Sequence, residues 1–142
     1  MQEIFHSDLN PHLIQKIILV LVTGFIVITF LQSGLDKVFD YKGNLSWISE
    51  QFSKSFLRNT IGIFLPVILI FELASGLLCV AGIIQLVLNK GDKILTMGFT
   101  LTGLTLLMLL FGQRVSKQYA GAVSLTGYFI IVLFGLMMLT LF

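Results

Sequence analysis

Charge is almost absent from four long stretches of this chain, and that absence decides most of what it can fold into. Ile17–Leu35, Ile94–Gln113 and Gln118–Phe142 hold no charged residue, and Asn59–Asn89 is interrupted once, by Glu72. Each stretch matches or exceeds the ~20 apolar residues that carry a helix across a ~30 Å hydrocarbon core. Charged residues make up 11% of the 142 positions, against about 25% in ordinary globular chains. Hydrophobic residues make up 56%, and the mean hydropathy is +0.98. No water-compatible surface can be assembled from such a chain, so the sequence predicts an all-α integral membrane protein.

The four spans are predicted at about 13–39, 60–88, 94–112 and 121–142, which makes residues 1–142 a single membrane domain. The polar turns Asn89–Lys93 and Gln113–Gln118 are short, so the spans they join run antiparallel, and the whole is an up-down-up-down four-helix bundle with both termini on one side. The positive-inside rule sets Lys16, Lys90 and Lys93 against Lys37, Lys42, Lys54, Arg58, Arg114 and Lys117, which places the termini outside the cytoplasm. Tyr41-Lys42-Gly43-Asn44 reads as a break ending the first span. The segment at about 44–58 then alternates faces: Leu45, Ile48, Phe52 and Phe56 on one, Ser46, Ser49, Glu50, Ser53 and Lys54 on the other. That pattern suits an amphipathic helix lying on the membrane, with Trp47 as interfacial anchor; a lid packed on the bundle has the same pattern. The first span follows a leader bearing Glu3, His6, Asp8 and His12 and exceeds the apolar region of about 7–15 residues in a signal peptide, so it is read as permanent.

Several kinds of chemistry are excluded. A net charge of +2 without any Lys/Arg-rich run offers no track for a nucleic acid. A single cysteine, Cys79, cannot form a Cys-x-x-Cys relay or a zinc ribbon, and within an apolar run it reads as a small buried hydrophobe. Both histidines precede the first span, so no span carries an axial haem ligand, and no cysteine cluster or Gly-rich nucleotide fingerprint occurs. No metal site and no covalently bound cofactor is predicted; any electrons the chain handled would have to be carried by a diffusible quinone or by a partner's cofactors.

The chemistry-bearing positions are few. Glu72 lies inside a span, where an ionisable group is costly unless paired, protonated or facing a cavity. Pro66 either starts that span or kinks a longer helix. Six residues separate Pro66 from Glu72, about 9 Å of helix. Ser33 and Lys37 are four apart, on one face of the first span, with Gly34 beside them allowing close approach. A lysine stem reaches ~6 Å by snorkelling, so Lys37 and Glu72 can pair if the second span begins at Pro66; an ordinary interfacial lysine with its charge in the headgroups is the competing reading. The hydroxylated and small residues Thr96, Gly98, Thr100, Thr102, Gly103 and Thr105 suit close helix packing.

These residues resemble those of the DoxX-like membrane proteins. The resemblance rests on the four-span layout from Ile17 to Leu139, the Ser33-Gly34-x-x-Lys37 element, the Pro66–Glu72 stretch and the small-residue run Gly76–Gly82. It implies a bacterial inner-membrane subunit, similar to the small membrane subunit of a thiosulfate:quinone oxidoreductase, that contacts membrane lipids, other redox or membrane subunits and a quinone. Lys37 and Glu72 are then its polar site residues, with Ser33 beside them and Arg114 standing in for ionisable groups usual in the third span. Two other readings stay open: a noncatalytic anchor or assembly subunit that recruits a partner through faces around Gly98 and Gly103, and a small transporter, for which no inverted repeat is visible.

Overall fold

The computed structural model describes residues 10–141; the leader positions Glu3, His6 and Asp8 and the terminal Phe142 lie outside them. Five helices follow one another: α1 (Pro11–Phe39), α2 (Tyr41–Gln51), α3 (Ile61–Val87), α4 (Lys93–Val115) and α5 (Tyr119–Thr140). No strand occurs among the described residues. Helices α1, α3, α4 and α5 have 29, 27, 23 and 22 residues. Even the shortest is about 33 Å long at 1.5 Å per residue, enough to cross a membrane.

Several helix boundaries have a local cause. Asn10 caps α1 by accepting from the His12 amide at 3.0 Å, and Pro11 takes the first helical position, where a missing N–H costs nothing. The break after α1 is a single residue, Asp40, rather than the tetrad Tyr41–Asn44. Asp40 caps α2 through its carboxylate, which accepts from the Gly43 amide at 3.3 Å. That carboxylate fills the space a side chain at position 43 would occupy, so Gly43 serves the cap and not a break. α2 ends at Gln51, and residues 52–60 form successive turns in which Ser55 and Thr60 hydroxyls donate to the carbonyls of Phe52 and Leu57. α3 begins at Ile61, so Pro66 lies within its second turn and removes the bond that would close on the Gly62 carbonyl.

The two long-helix turns share one device. Asn89 (φ 57°) and Lys117 (φ 62°) adopt the left-handed conformation just past α3 and α4. The Lys90 amide then donates to the Gln85 carbonyl, and the Gln118 amide to the Gln113 carbonyl, each at 2.9 Å. These are Schellman endings, which satisfy carbonyls left open at a helix C-terminus. α4 therefore continues through Arg114 to Val115, beyond the end predicted near residue 112.

Large apolar side chains face outward along the long helices, and a few polar groups are buried beside an apolar core. Leu21 (68% exposed), Ile28 (67%), Ile63 (75%), Leu77 (62%) and Val123 (72%) face outward, whereas Glu72, Ser75, Thr102 and Thr105 are buried. A contiguous apolar exterior is what lipid requires and water penalises. α3 packs against both α1 and α4, and α5 packs on α4 and also touches α1. Contact is closest where glycine removes a side chain. A Cβ at Gly82 would stand 2.5 Å from the Leu95 backbone, and one at Gly76 the same distance from the Leu31 side chain. Between α3 and α4, Ser75 and Thr105 hydroxyls are 3.2 Å apart, and Cys79, fully buried, lies 3.8 Å from the Thr102 hydroxyl. Thr96 and Thr100 point outward and bond back to the Asp92 and Thr96 carbonyls. Gly98 and Gly103, one face of the anchor reading, are buried against Cys79 and beside Phe129 and Val132 of the same chain. They present nothing to a partner.

Candidate functional site

The last two turns of α1 carry Ser33, Gly34 and Lys37 toward α3. Gly34 makes the approach possible: a Cβ there would stand 2.6 Å from Leu73 Cδ2. Across this contact, Lys37 Nζ donates to both oxygens of Glu72, at 3.2 Å to Oε1 and 3.1 Å to Oε2, and to Ser33 Oγ at 2.7 Å. The Ser33 hydroxyl in turn donates to Glu72 at 3.3 to 3.4 Å. Both carboxylate oxygens are thus satisfied. The Glu72 side chain is 2% exposed and that of Lys37 is 16% exposed. The pairing does not need α3 to start at Pro66; the lysine stem spans the gap with α3 beginning five residues earlier.

Burying this pair is expensive for each ion alone. The effective desolvation penalty is several kcal/mol per ion, offset when the partner charge and further hydrogen bonds are in place. Ser33 supplies one of those bonds, which accounts for its position four residues before Lys37.

Lys37 also forms part of the wall of a cavity of about 200 Å³. The cavity lies between α2, the first turns of α3, the end of α4 and the α4–α5 turn. Trp47, Phe52, Phe64, Ile68 and Leu109 give it apolar and aromatic walls, and Asn44, Gln51, Gln113, Ser116 and Gln118 give it neutral polar groups. Among the described residues of the wall Lys37 alone is charged, and its charge is balanced by Glu72 behind it. The site is electrically neutral as a whole and offers a cationic donor in an apolar setting. A cavity of about 150 Å³ is large enough for a benzene ring, so this one has room for a substituted ring.

Of the positions singled out by sequence, Ser33, Lys37 and Glu72 come together. Trp47 lies in α2, half exposed, with its side chain on the cavity wall. Leu45 and Ile48 are partly covered and Phe52 is buried, but Phe56, assigned to the same face, lies past the end of α2 and is exposed. Arg114 stays apart: it is exposed in the last turn of α4, with its guanidinium 5.0 Å from the Tyr119 ring. It extends over that ring in a cation–π contact and takes no part in the Glu72 cluster.

Sequence reasoning did not find the amide residues. Gln51 and Gln118 meet where the end of α2 faces the start of α5, with Gln118 Nε2 donating to Gln51 Oε1 at 2.5 Å. Gln113 packs its side chain across Gly121, where any Cβ would collide with it. In sequence these residues looked like the polarity of a turn; their only signal was that uncharged amides, and not lysines, flank it on both sides.

Comparison of the chain with protein-family models, with curated proteins and with solved structures finds no match.

Proposed function

We propose that the chain is an integral membrane protein of the DoxX-like type that binds a quinone headgroup as a subunit of a bacterial inner-membrane redox complex. In this reading α1, α3, α4 and α5 form an antiparallel bundle with both ends of the chain on one side. Bonds between distant segments support it: Lys16 near the start of α1 donates to Asn89 just past α3, and Gln15 donates to the Met138 carbonyl near the end of α5. At the opposite end, α2 lies at the headgroup level with Trp47, a natural interfacial residue.

The observation that carries the functional reading is the Lys37–Glu72 pair opening on a neutral, ring-sized cavity. A charge-balanced site disfavours an anion and suits an uncharged ligand with carbonyl acceptors. Aromatic walls suit a flat ring, and a mostly apolar ligand reaches such a site from lipid. Lys37 would exchange its bond to Ser33 for one to a ligand carbonyl, and Trp47, Phe52 and Phe64 would flank the ring. A bound quinone would supply two-electron, two-proton redox chemistry. Glu72 and Lys37 would place a proton-exchanging pair beside it, the role of a positioned acid and base. Electrons would come from a partner subunit.

Extraction of bound lipids from protein purified in mild detergent tests this reading. Quinone should be retained by the native chain and lost from Glu72→Gln and Lys37→Met. A native chain that carries none and binds none on addition would sink the proposal. The competing reading, a noncatalytic anchor, draws support from the internally satisfied bonding of Ser33, Lys37 and Glu72. It predicts that Glu72→Gln leaves the partner complex and its activity intact.

A further inference from the structure

A second cavity adjoins the first and differs from it in kind. It is lined by Glu50, Ser53, Lys54, Ser55 and Lys117 together with Gln51, Val115 and Ser116. Nearly every one of these side chains is polar or charged, and Glu50, Ser53, Lys54 and Lys117 are exposed. Gln51 and Ser116 belong to both walls. The two cavities therefore meet at Gln51 and Ser116, and Gln51 accepts there from Gln118, which lines the inner cavity. Ser116 turns its hydroxyl inward on its own helix, to the Gly112 carbonyl at 2.9 Å.

This junction is weakly held. In α2 no residue is buried, and the tightest packing nearby is Phe52, just past its end, 7% exposed against Gly112. The Gln51–Gln118 bond is the side-chain link between α2 and the start of α5. Opening it would break no bond within the long helices, since Gln51 ends α2 and Gln118 lies in the turn before α5. Segments with few buried contacts are those that open at low free energy.

We infer that the two cavities form one aqueous entry path to the Lys37–Glu72 pair, gated by Gln51 and Gln118. Water and protons reach the buried pair from the end of the molecule that carries α2 and the α4–α5 turn. The outer cleft, with Glu50, Lys54 and Lys117, is the hydrated mouth; the inner cavity has Lys37 in its wall, and Lys37 is bonded to Glu72. The path does not depend on which ligand occupies the inner cavity, but it does rest on the membrane placement proposed above. It supplies the buried pair with an exchange route that the apolar exterior denies it.

Thiol labelling tests the path directly. Cys79 is buried and is first replaced as Cys79→Ser, which preserves a polar contact to Thr102. In that background Ile68→Cys places a reporter on the inner wall, and Leu109→Cys places a second on the facing helix in case the first fails to fold. Ile130→Cys on the exposed face of α5 is the lipid-facing control. A charged, water-soluble thiol reagent added to reconstituted vesicles should label the inner reporters and not the control. Adding Gln51→Ala should raise the labelling rate about fivefold, the response of an opening equilibrium to one lost side-chain hydrogen bond. Inner reporters that react only with a lipid-soluble reagent in both backgrounds would overturn the path. A rate indifferent to Gln51→Ala and Gln118→Ala would overturn the gate. Either result leaves quinone retention as a separate measurement, so failure of the path and failure of the functional reading are distinguishable.

Discussion

Lys37 holds Glu72 across the contact between α1 and α3, with Nζ 3.1 Å from Oε2 and the Ser33 hydroxyl bonded to both residues. The arrangement is reciprocal: each charge makes the other tolerable, and Ser33 fills the remaining bonding capacity. Removing one partner should therefore cost more than removing both. Glu72→Leu alone is expected to destabilise the protein by about 3 kcal/mol, the range for a buried pair broken on one side. Lys37→Leu with Glu72→Leu should recover much of that loss. Thermal unfolding in one detergent, run as a double-mutant cycle, reads the coupling; strictly additive losses would show that the two charges do not depend on each other.

Close helix contact makes a second expectation. Gly82 meets the Leu95 backbone, which cannot step aside as a side chain can, so Gly82→Ala should cost about 2 kcal/mol by overpacking. At Gly24 nothing lies within 4 Å of an added Cβ. Gly24→Ala should be neutral or gain up to ~1 kcal/mol from helix propensity. Melting temperatures of the two variants should move in opposite directions or differ clearly in size; equal shifts would contradict the packing at Gly82.

The turn after α4 yields a third. Lys117 sits at φ 62° with a side chain that gains nothing from that conformation. A left-handed L-residue costs roughly 1–2 kcal/mol, so Lys117→Gly should raise the melting temperature. Asn89, at φ 57°, tolerates the region better and also accepts from Lys16. Asn89→Gly should gain less than Lys117→Gly, and a larger gain at position 89 would contradict the role of the Lys16 bond.

The long helices were legible in the sequence because each charge-free stretch has few alternatives in water or in lipid. Glu72 was legible for the same reason: an ionisable residue inside an apolar run announces itself by its cost. Lys37 followed from its four-residue spacing to Ser33 and its place near the end of a span. The start of α2 was not legible, because Gly43 resembles a helix breaker until the Asp40 carboxylate is seen folded over it. The cavity was not legible either. Gln51, Gln113 and Gln118 lie at helix ends, where amides are ordinary, and only tertiary contact shows that they face one space with Lys37. Arg114 does not join the Lys37–Glu72 cluster, because α4 runs on past it and its side chain lies over Tyr119.

The chain has one tryptophan, and Trp47 is on the wall of the cavity beside Lys37. Titration of the purified protein with a short-chain benzoquinone, followed by tryptophan fluorescence, therefore reads occupancy of the proposed site without a label. Saturable quenching is expected in the native chain. Binding should weaken by about tenfold or more in Lys37→Met and Glu72→Gln, the scale of one lost hydrogen bond to a charged group. Quenching that rises without saturation, and identically in all three proteins, would contradict a quinone site at Lys37 and Glu72.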